Sequence, residues 1–339
     1  MTKIHCFTSI SFSYLSKARV LASTLKKFHP DWTLWVCISD RLPEGVEFRI
    51  EDELFDRVLW IDELLEENQE GWIFKHNVIE LCTAVKGAAL EFIFKNGADQ
   101  VFYIDPDIAL FNNLDPVVDL LKSNSIILTP HLVSPEKLPS EIWENERSAL
   151  LHGVYNLGFV AVKNSTEGRK FATWWDERLK LYCYEAASEG IYTDQRWCDL
   201  IPAFFDEVFV LRDPGYNVAS WNIRNRPIYC NKLGQILVDN YSLRFYHFTK
   251  ISHVGELMIE KNAGRSYTVF ELLKWYRGQV EKNEDTILGK LQWAFGFYTN
   301  GEEIEYKDRK LYRDRKDLQK TFTNPFDHNT LQNWLKNST

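Results

Sequence analysis

The sequence predicts an α/β fold with a mostly parallel central sheet covered by helices on both faces. Near-continuous apolar runs such as WTLWVCISD and QVFYI have the length and density of buried strands, and segments of helical period separate them. A chain of 339 residues, 45% hydrophobic and 26% charged, can bury one large core and carry a smaller C-terminal piece.

IHCFTSI is the first strand, and Leu15, Ala18, Leu21, Ala22, Leu25 and Phe28 then recur at helical spacing until Pro30 stops them. WTLWVCISD and RVLWI are the second and third strands. A helix is predicted from Asn77 to Phe94, with Val78, Cys82, Val85, Ala89 and Phe92 facing inward and Asn96-Gly97 ending it. QVFYI, a helix over Pro116 to Lys122, and SIILT follow. After Pro130 the rhythm changes to a loop and short helix, the strand VYNLGFVAV, a helix from Gly168 to Tyr182, a helix opening near Thr193, and the strands EVFVL, GQILV and LRFYHF. YTVFELLKWYRGQV and TILGKLQWAFGF read as helices before the polar stretch DRKLYRDRKDLQK.

A formal net charge of -8 argues against a nucleic-acid partner, which needs concentrated Lys and Arg. No apolar run reaches the roughly 20 residues that span a bilayer, and the N-terminus shows no signal-peptide pattern, so a cytoplasmic location is expected. The six cysteines lack metal-like spacing and read as reduced. Aromatic content of 14% serves packing and equally suits stacking on bases or sugars.

The stretch FYIDPDIALF carries the chemistry. Asp105 and Asp107 project the same way from an extended segment stiffened by Pro106, and two adjacent carboxylates repel unless a cation neutralises them. They fit a hard divalent ion with open positions for phosphate oxygens; a simple turn after an edge strand would use the same residues. His247 ends another strand and is either a third ligand or a buried rim histidine. Lys86 flanks the apolar stripe of its helix, where it snorkels or reaches the carboxylates. Asn156 and Gly158 interrupt one strand. Asp194 and Gln195 open a helix, as caps or as grips for sugar hydroxyls. Asn217, Trp221 and Asn222 complete a polar and aromatic group.

The ordered segments FTSIS, YIDPD, YNLGFVAV, TDQRW, ASWN and FYHFTK resemble those of nucleotide-sugar glycosyltransferases with the GT-A, Rossmann-like fold. The resemblance is to the retaining family that includes glycogenin and bacterial lipooligosaccharide galactosyltransferases, and it covers roughly residues 3 to 255. It implies Asp105, Asp107 and His247 as ligands of Mn2+ or Mg2+, Thr8 and Ser9 at the uridine site with Asp40 as helper, and Asn156, Asp194, Gln195 and Lys86 at the donor sugar and reacting centre. The family's late His-x-x-Gly-x-x-Lys-Pro-Trp pattern is replaced by HFTKISHVGE; Lys250 is then a candidate diphosphate contact, and His253 is the ligand in an alternative register.

The resemblance implies residues 1–255 as the catalytic domain, divided into a nucleotide-binding half (1–130) and a sugar and acceptor half (131–255), with 256–339 a mainly helical accessory region. It further implies transfer of a hexosyl or N-acetylhexosaminyl group from a UDP-sugar to a glycan or lipid-linked glycan acceptor, in bacterial surface polysaccharide biosynthesis. Alternatives are a noncatalytic carbohydrate-binding module and a sugar nucleotidyltransferase; FTSISFSYLSKAR lacks the Gly-rich basic loop of the latter. Lys307, Arg309, Lys310, Arg313, Arg315 and Lys316 are candidates for peripheral contact with anionic lipid at the inner face of the cytoplasmic membrane, or for a solvated helix face.

Overall fold

Most of the apolar runs pair as parallel strands, as expected of strands buried on both faces and connected by crossovers. In the computed structural model, which describes residues 2–65, 69–251, 254–264 and 266–338, the strands that position the site are β1 (Ile4–Ile10), β2 (Thr33–Ile38), β3 (Arg57–Trp60), β4 (Gln100–Ile104), β5 (Ile108–Leu110), β6 (Ile126–Pro130), β7 (Tyr155–Lys163), β8 (Val208–Val210), β9 (Val218–Ala219) and β10 (Phe245–His247). The central sheet has seven strands in the order β8-β6-β7-β4-β1-β2-β3. All pairings are parallel except those of β7, which runs against both neighbours. A second sheet, β9-β10-β5, sets β10 antiparallel to β5 and parallel to β9.

Alternation along each strand divides the core. Phe7, Val101, Tyr103, Val160 and Val162 face one layer, and Cys6, Phe102, Ile104, Phe159 and Ala161 face the other. Helix α1 (Leu15–Phe28) covers the second layer with Leu15, Ala18, Leu21, Ala22 and Leu25. A third cluster lies between the small sheet and the helix Tyr267–Lys282, where Phe248 stacks on Tyr276 at 4.0 Å between ring centroids.

The predicted helix from Asn77 to Phe94 divides into α2 (Val78–Ala84) and α3 (Lys86–Lys95) at Val85. Asn77 caps α2: its side chain accepts from the Glu80 N–H at 2.9 Å, and the Glu80 carboxylate accepts from the Asn77 N–H at 2.9 Å. The break turns the inward stripe away from the predicted one, so that Leu81, Ala84, Val85, Ala89, Leu90 and Ile93 are buried while Val78, Cys82 and Phe92 are half-buried. α3 packs on α4 (Thr166–Tyr182). TILGKLQWAFGF, read as a helix, forms two single turns, Leu288–Lys290 and Ala294–Gly296; its two glycines and the early break at Leu291 fit a surface-hugging strap better than a continuous helix.

The basic run near residue 310 does not form one exposed face. Arg309 is 3% exposed and donates to the carbonyls of Phe74, His76 and Phe295, at 3.0, 2.9 and 2.5 Å. Arg313 packs over Tyr184 and lies 3.4 Å from Glu80. Buried carbonyls at the end of the Glu70–Phe74 helix need donors, and the Arg309 guanidinium supplies them. Phe295, Tyr298, Tyr312, Leu318, Phe326 and Leu331 join the same core layer as Phe7, Trp35 and Phe74. Among the described residues no helix is long and apolar enough to cross a membrane, and the cysteines are free thiols.

Candidate metal and donor site

β4 delivers the two aspartates. Tyr103 and Asp105, two residues apart, share a face, and the Tyr103 hydroxyl donates to Asp105 Oδ1. Because β7 is antiparallel to β4, its first residues lie beside the carboxyl end of β4: Ile104 is in register with Phe159, and the Asp105 N–H donates to the Gly158 carbonyl at 2.8 Å. The third candidate ligand arrives from the small sheet. His247 is paired with Ile108, and the Phe248 N–H donates to the Asp107 carbonyl at 2.8 Å.

His247 Nε2 therefore lies 3.0 Å from Asp107 Oδ1 and 3.7 Å from Asp105 Oδ2. One ligand atom from each of these three residues falls within 4.8 Å of the others, a spacing that a single cation can bridge. Gly158 makes the space: a Cβ there would approach His247 Cε1 to 2.7 Å and Asp105 Oδ2 to 2.8 Å. Two carboxylates and an imidazole suit Mn2+ or Mg2+, the nitrogen favouring Mn2+. Burial works against the His247 imidazolium, but Asp107 and Asp105 outweigh it and raise its pKa above the ordinary value. At Asp107, burial pushes the pKa up, and the neighbouring imidazole outweighs it and holds it below the usual carboxylate range.

Lys86 projects from the start of α3 and is 4% exposed. Its ammonium donates to Asp194 Oδ2 at 2.9 Å and to the Leu157 carbonyl at 3.2 Å, lies 3.7 Å from Asp105 Oδ1, and sits over the Tyr103 ring. Burial opposes its charge; Asp194 and Asp105 outweigh burial and raise its pKa.

A cavity of about 480 Å³ opens above this cluster. Ser9, Lys86, Asp105, Asp107, Asn156, Asp194, Gln195, His247 and Lys250 all line it. Trp221 lines it too, edge-on to His247 at 5.6 Å between centroids. Gln195 has both ends of its amide engaged: Oε1 accepts from Asn156 Nδ2 at 3.2 Å, and Nε2 donates to the His152 carbonyl at 3.3 Å.

Four sequence candidates, Thr8, Asp40, Asn217 and Asn222, stand apart from the lining. Thr8 precedes Ser9 by one residue, so strand alternation turns it to the opposite face, where its hydroxyl is buried without a hydrogen-bond partner. Asp40 accepts from the N–H groups of Phe12, Arg41 and Ala294 at 3.3, 2.9 and 2.9 Å, so its carboxylate ties the end of β2 to the C-terminal region. Burial raises its pKa against those three donors. His253 lies outside the described residues. Sequence reading passed over Tyr103 and His131, both of which line the cavity. Tyr103 was discoverable from its two-residue offset to Asp105; His131 carries no local signal beyond following the strand SIILTP.

No protein-family model matches the chain. Two Bacillus subtilis (strain 168) proteins named as uncharacterized are similar over 265 residues: YfnF is 26% identical, covering 76% of this chain and 85% of its own length, and YfnD is 27% identical, covering 76% and 80%. Similar solved structures include the galactosyltransferase LgtC in complex with donor and acceptor sugar analogues, at 14% identity over 82% of this chain and 95% of that one with a TM-score of 0.48. Another is mouse xyloside xylosyltransferase 1, at 12% identity over 73% and 98% with a TM-score of 0.42. Likeness at that level leaves function to the chain's own side chains.

Proposed function

We propose that the protein is a metal-dependent GT-A glycosyltransferase that moves a hexosyl or N-acetylhexosaminyl group from a UDP-sugar to a hydroxyl of a glycan or lipid-linked glycan, with retention at the anomeric carbon. The observation that supports it most is the meeting of Asp105, Asp107 and His247, from two different sheets, at the floor of a cavity large enough for a nucleotide sugar.

A divalent cation held by these three residues supplies Lewis-acid stabilisation for the charge that grows on the departing diphosphate. The protein's own groups do the rest. Ser9, at the carboxyl end of β1, lies where open α/β sheets bind nucleotides. Lys250, exposed at the rim, brings positive charge towards the diphosphate. Asp194, kept beside Lys86, places a carboxylate where it favours positive charge developing on the sugar. In the retaining reaction the acceptor oxygen bonds to the anomeric carbon as the bond to the diphosphate oxygen breaks, and the acceptor's proton passes to that oxygen. The closed amide pairs of Asn156 and Gln195 keep this wall rigid.

A role in assembling bacterial surface polysaccharide, at the cytoplasmic face of the membrane and in peripheral contact with it, agrees with this acceptor chemistry. A panel of UDP-sugars with and without Mn2+, read by mass of released nucleotide and product, tests the reading. Mn2+-dependent release of UDP that disappears in Asp107→Ala, with that variant still folded, supports it. Equal turnover in Asp107→Ala, or none with any donor, rules it out.

A further inference from the structure

The amide of Asn156 sits behind the histidine ligand, and its orientation is fixed by groups whose polarity is beyond doubt. Its Oδ1 lies 3.3 Å from the Gly158 backbone N–H, which can only donate, and 3.2 Å from His247 Nδ1. Its Nδ2 must then face the other way, towards Gln195 Oε1 and His131 Nε2, each at 3.2 Å. Gln195 Oε1 is itself identified as an oxygen by the Leu157 N–H at 3.4 Å. His131 Nδ1 lies 3.3 Å from the Val154 carbonyl, which can only accept, so this nitrogen carries the proton and Nε2 offers the lone pair. Burial keeps the His131 ring neutral, with its pKa lowered to about 4.

Every hydrogen bond in the chain therefore runs one way: from His131 to the Val154 carbonyl, from Asn156 Nδ2 to His131, and from His247 Nδ1 to Asn156 Oδ1. We propose that Asn156, held by His131, is a positioning residue that keeps the proton of His247 on Nδ1 and aims its Nε2 lone pair between Asp105 and Asp107, so that the imidazole is preset as a cation ligand. The inference rests on the metal reading above and assigns Asn156 to the ring behind the cation. A flipped Asn156 amide would present N–H groups to Nδ1, move the ring's proton to Nε2 and close the nitrogen that the cation needs.

The test is Mn2+ binding measured by electron paramagnetic resonance on the full chain without any sugar donor, with thermal melting to confirm folding. Asn156→Leu removes both ends of the relay and should weaken Mn2+ binding about 10- to 100-fold. Asn156→Asp keeps the acceptor for His247 and should lie closer to wild type than to Asn156→Leu. His131→Phe keeps the ring shape without its nitrogens and should weaken binding, whereas His131→Gln, which again offers an acceptor to Asn156 and a donor to Val154, should restore it. Folded Asn156→Leu and His131→Phe proteins that bind Mn2+ as wild type does would overturn the relay while leaving the metal site standing. Equal losses in Asn156→Asp and Asn156→Leu would also overturn it. A wild-type protein that binds no Mn2+ sinks the metal reading and the relay together. Should Asn156→Leu fail to fold, the His131→Phe and His131→Gln pair decides.

Discussion

Lys86 and Asp194 form an ion pair at 2.9 Å in which the two side chains are only 5% and 3% exposed. Breaking such a pair from one side leaves a buried charge without compensation, which costs about 3–5 kcal/mol. Lys86→Met should therefore lower unfolding free energy by about that amount, measured by urea denaturation. Lys86→Met combined with Asp194→Asn should recover much of the loss, because the carboxylate that Lys86 hydrogen-bonds is gone and Asp105, its other acidic neighbour at 3.7 Å, keeps Tyr103 and His247 beside it. If the double variant is no more stable than Lys86→Met alone, the pair does not carry this energy.

The raised pKa of His247 has a direct consequence for cation affinity. In the metal-free protein, below that raised pKa, a proton stabilised by Asp107 and Asp105 sits on the imidazole, and a cation must displace it. Apparent Mn2+ affinity should be greatest above that raised pKa and should fall about tenfold for each pH unit below it. The same sign governs the empty protein: the proton's contribution to stability is present at low pH and is lost as pH rises through the folded value. Calorimetric Mn2+ titrations between mildly acidic and mildly alkaline pH test this, and an affinity flat across that range would contradict it.

Gly158→Ala should disable the cation site while sparing the sheet. The added methyl would meet His247 Cε1 and Asp105 Oδ2 at 2.7 and 2.8 Å, distances that force one of them to move. Loss of Mn2+ affinity of about 10-fold or more, with circular dichroism and melting temperature near wild type, is the expected pattern. Unaltered affinity would show that the ligands have room that the geometry denies them.

Arg309→Ala tests the attachment of the C-terminal region. The guanidinium group serves three buried carbonyls and packs over Phe74 and Trp293. Its removal leaves those oxygens without donors and should destabilise the protein by about 3 kcal/mol or more in chemical denaturation. Lys310→Ala, on the exposed side of the helix Tyr306–Asp314 that carries Arg309, should change stability by less than about 1 kcal/mol.

The sheet was legible because its strands are buried on both faces, and continuous apolar runs such as QVFYI leave little else to be. Asp105, Asp107 and His247 could be singled out by their position at strand ends, although only tertiary structure brings His247 across from the second sheet. Asp40 shows the limit of that reasoning: a carboxylate after a strand looks like a ligand contact, yet here it caps three backbone N–H groups, one of which arrives from residue 294, far along the chain. The helix break at Val85 and the inward turn of Arg309 escaped for a related reason. The Arg309 guanidinium meets carbonyls more than two hundred positions away, and neither feature leaves a mark in local periodicity. His131 escaped because its partners, Val154 and Asn156, lie more than twenty positions away.

The late packing of Phe295, Tyr312, Phe326 and Leu331 against Trp35 and Phe74 bears on how the molecule is made. A nascent chain that has emerged through His247 already possesses Asp105, Asp107 and His247, but residues 295–331, which form one wall of its interior, have yet to follow. Until that wall arrives, aromatic surface on the amino-terminal layer stays wet and adhesive. Completion of that wall is therefore the step that hides this surface, and deleting residues 295–331 should produce insoluble material before it produces a soluble protein that has lost cation binding.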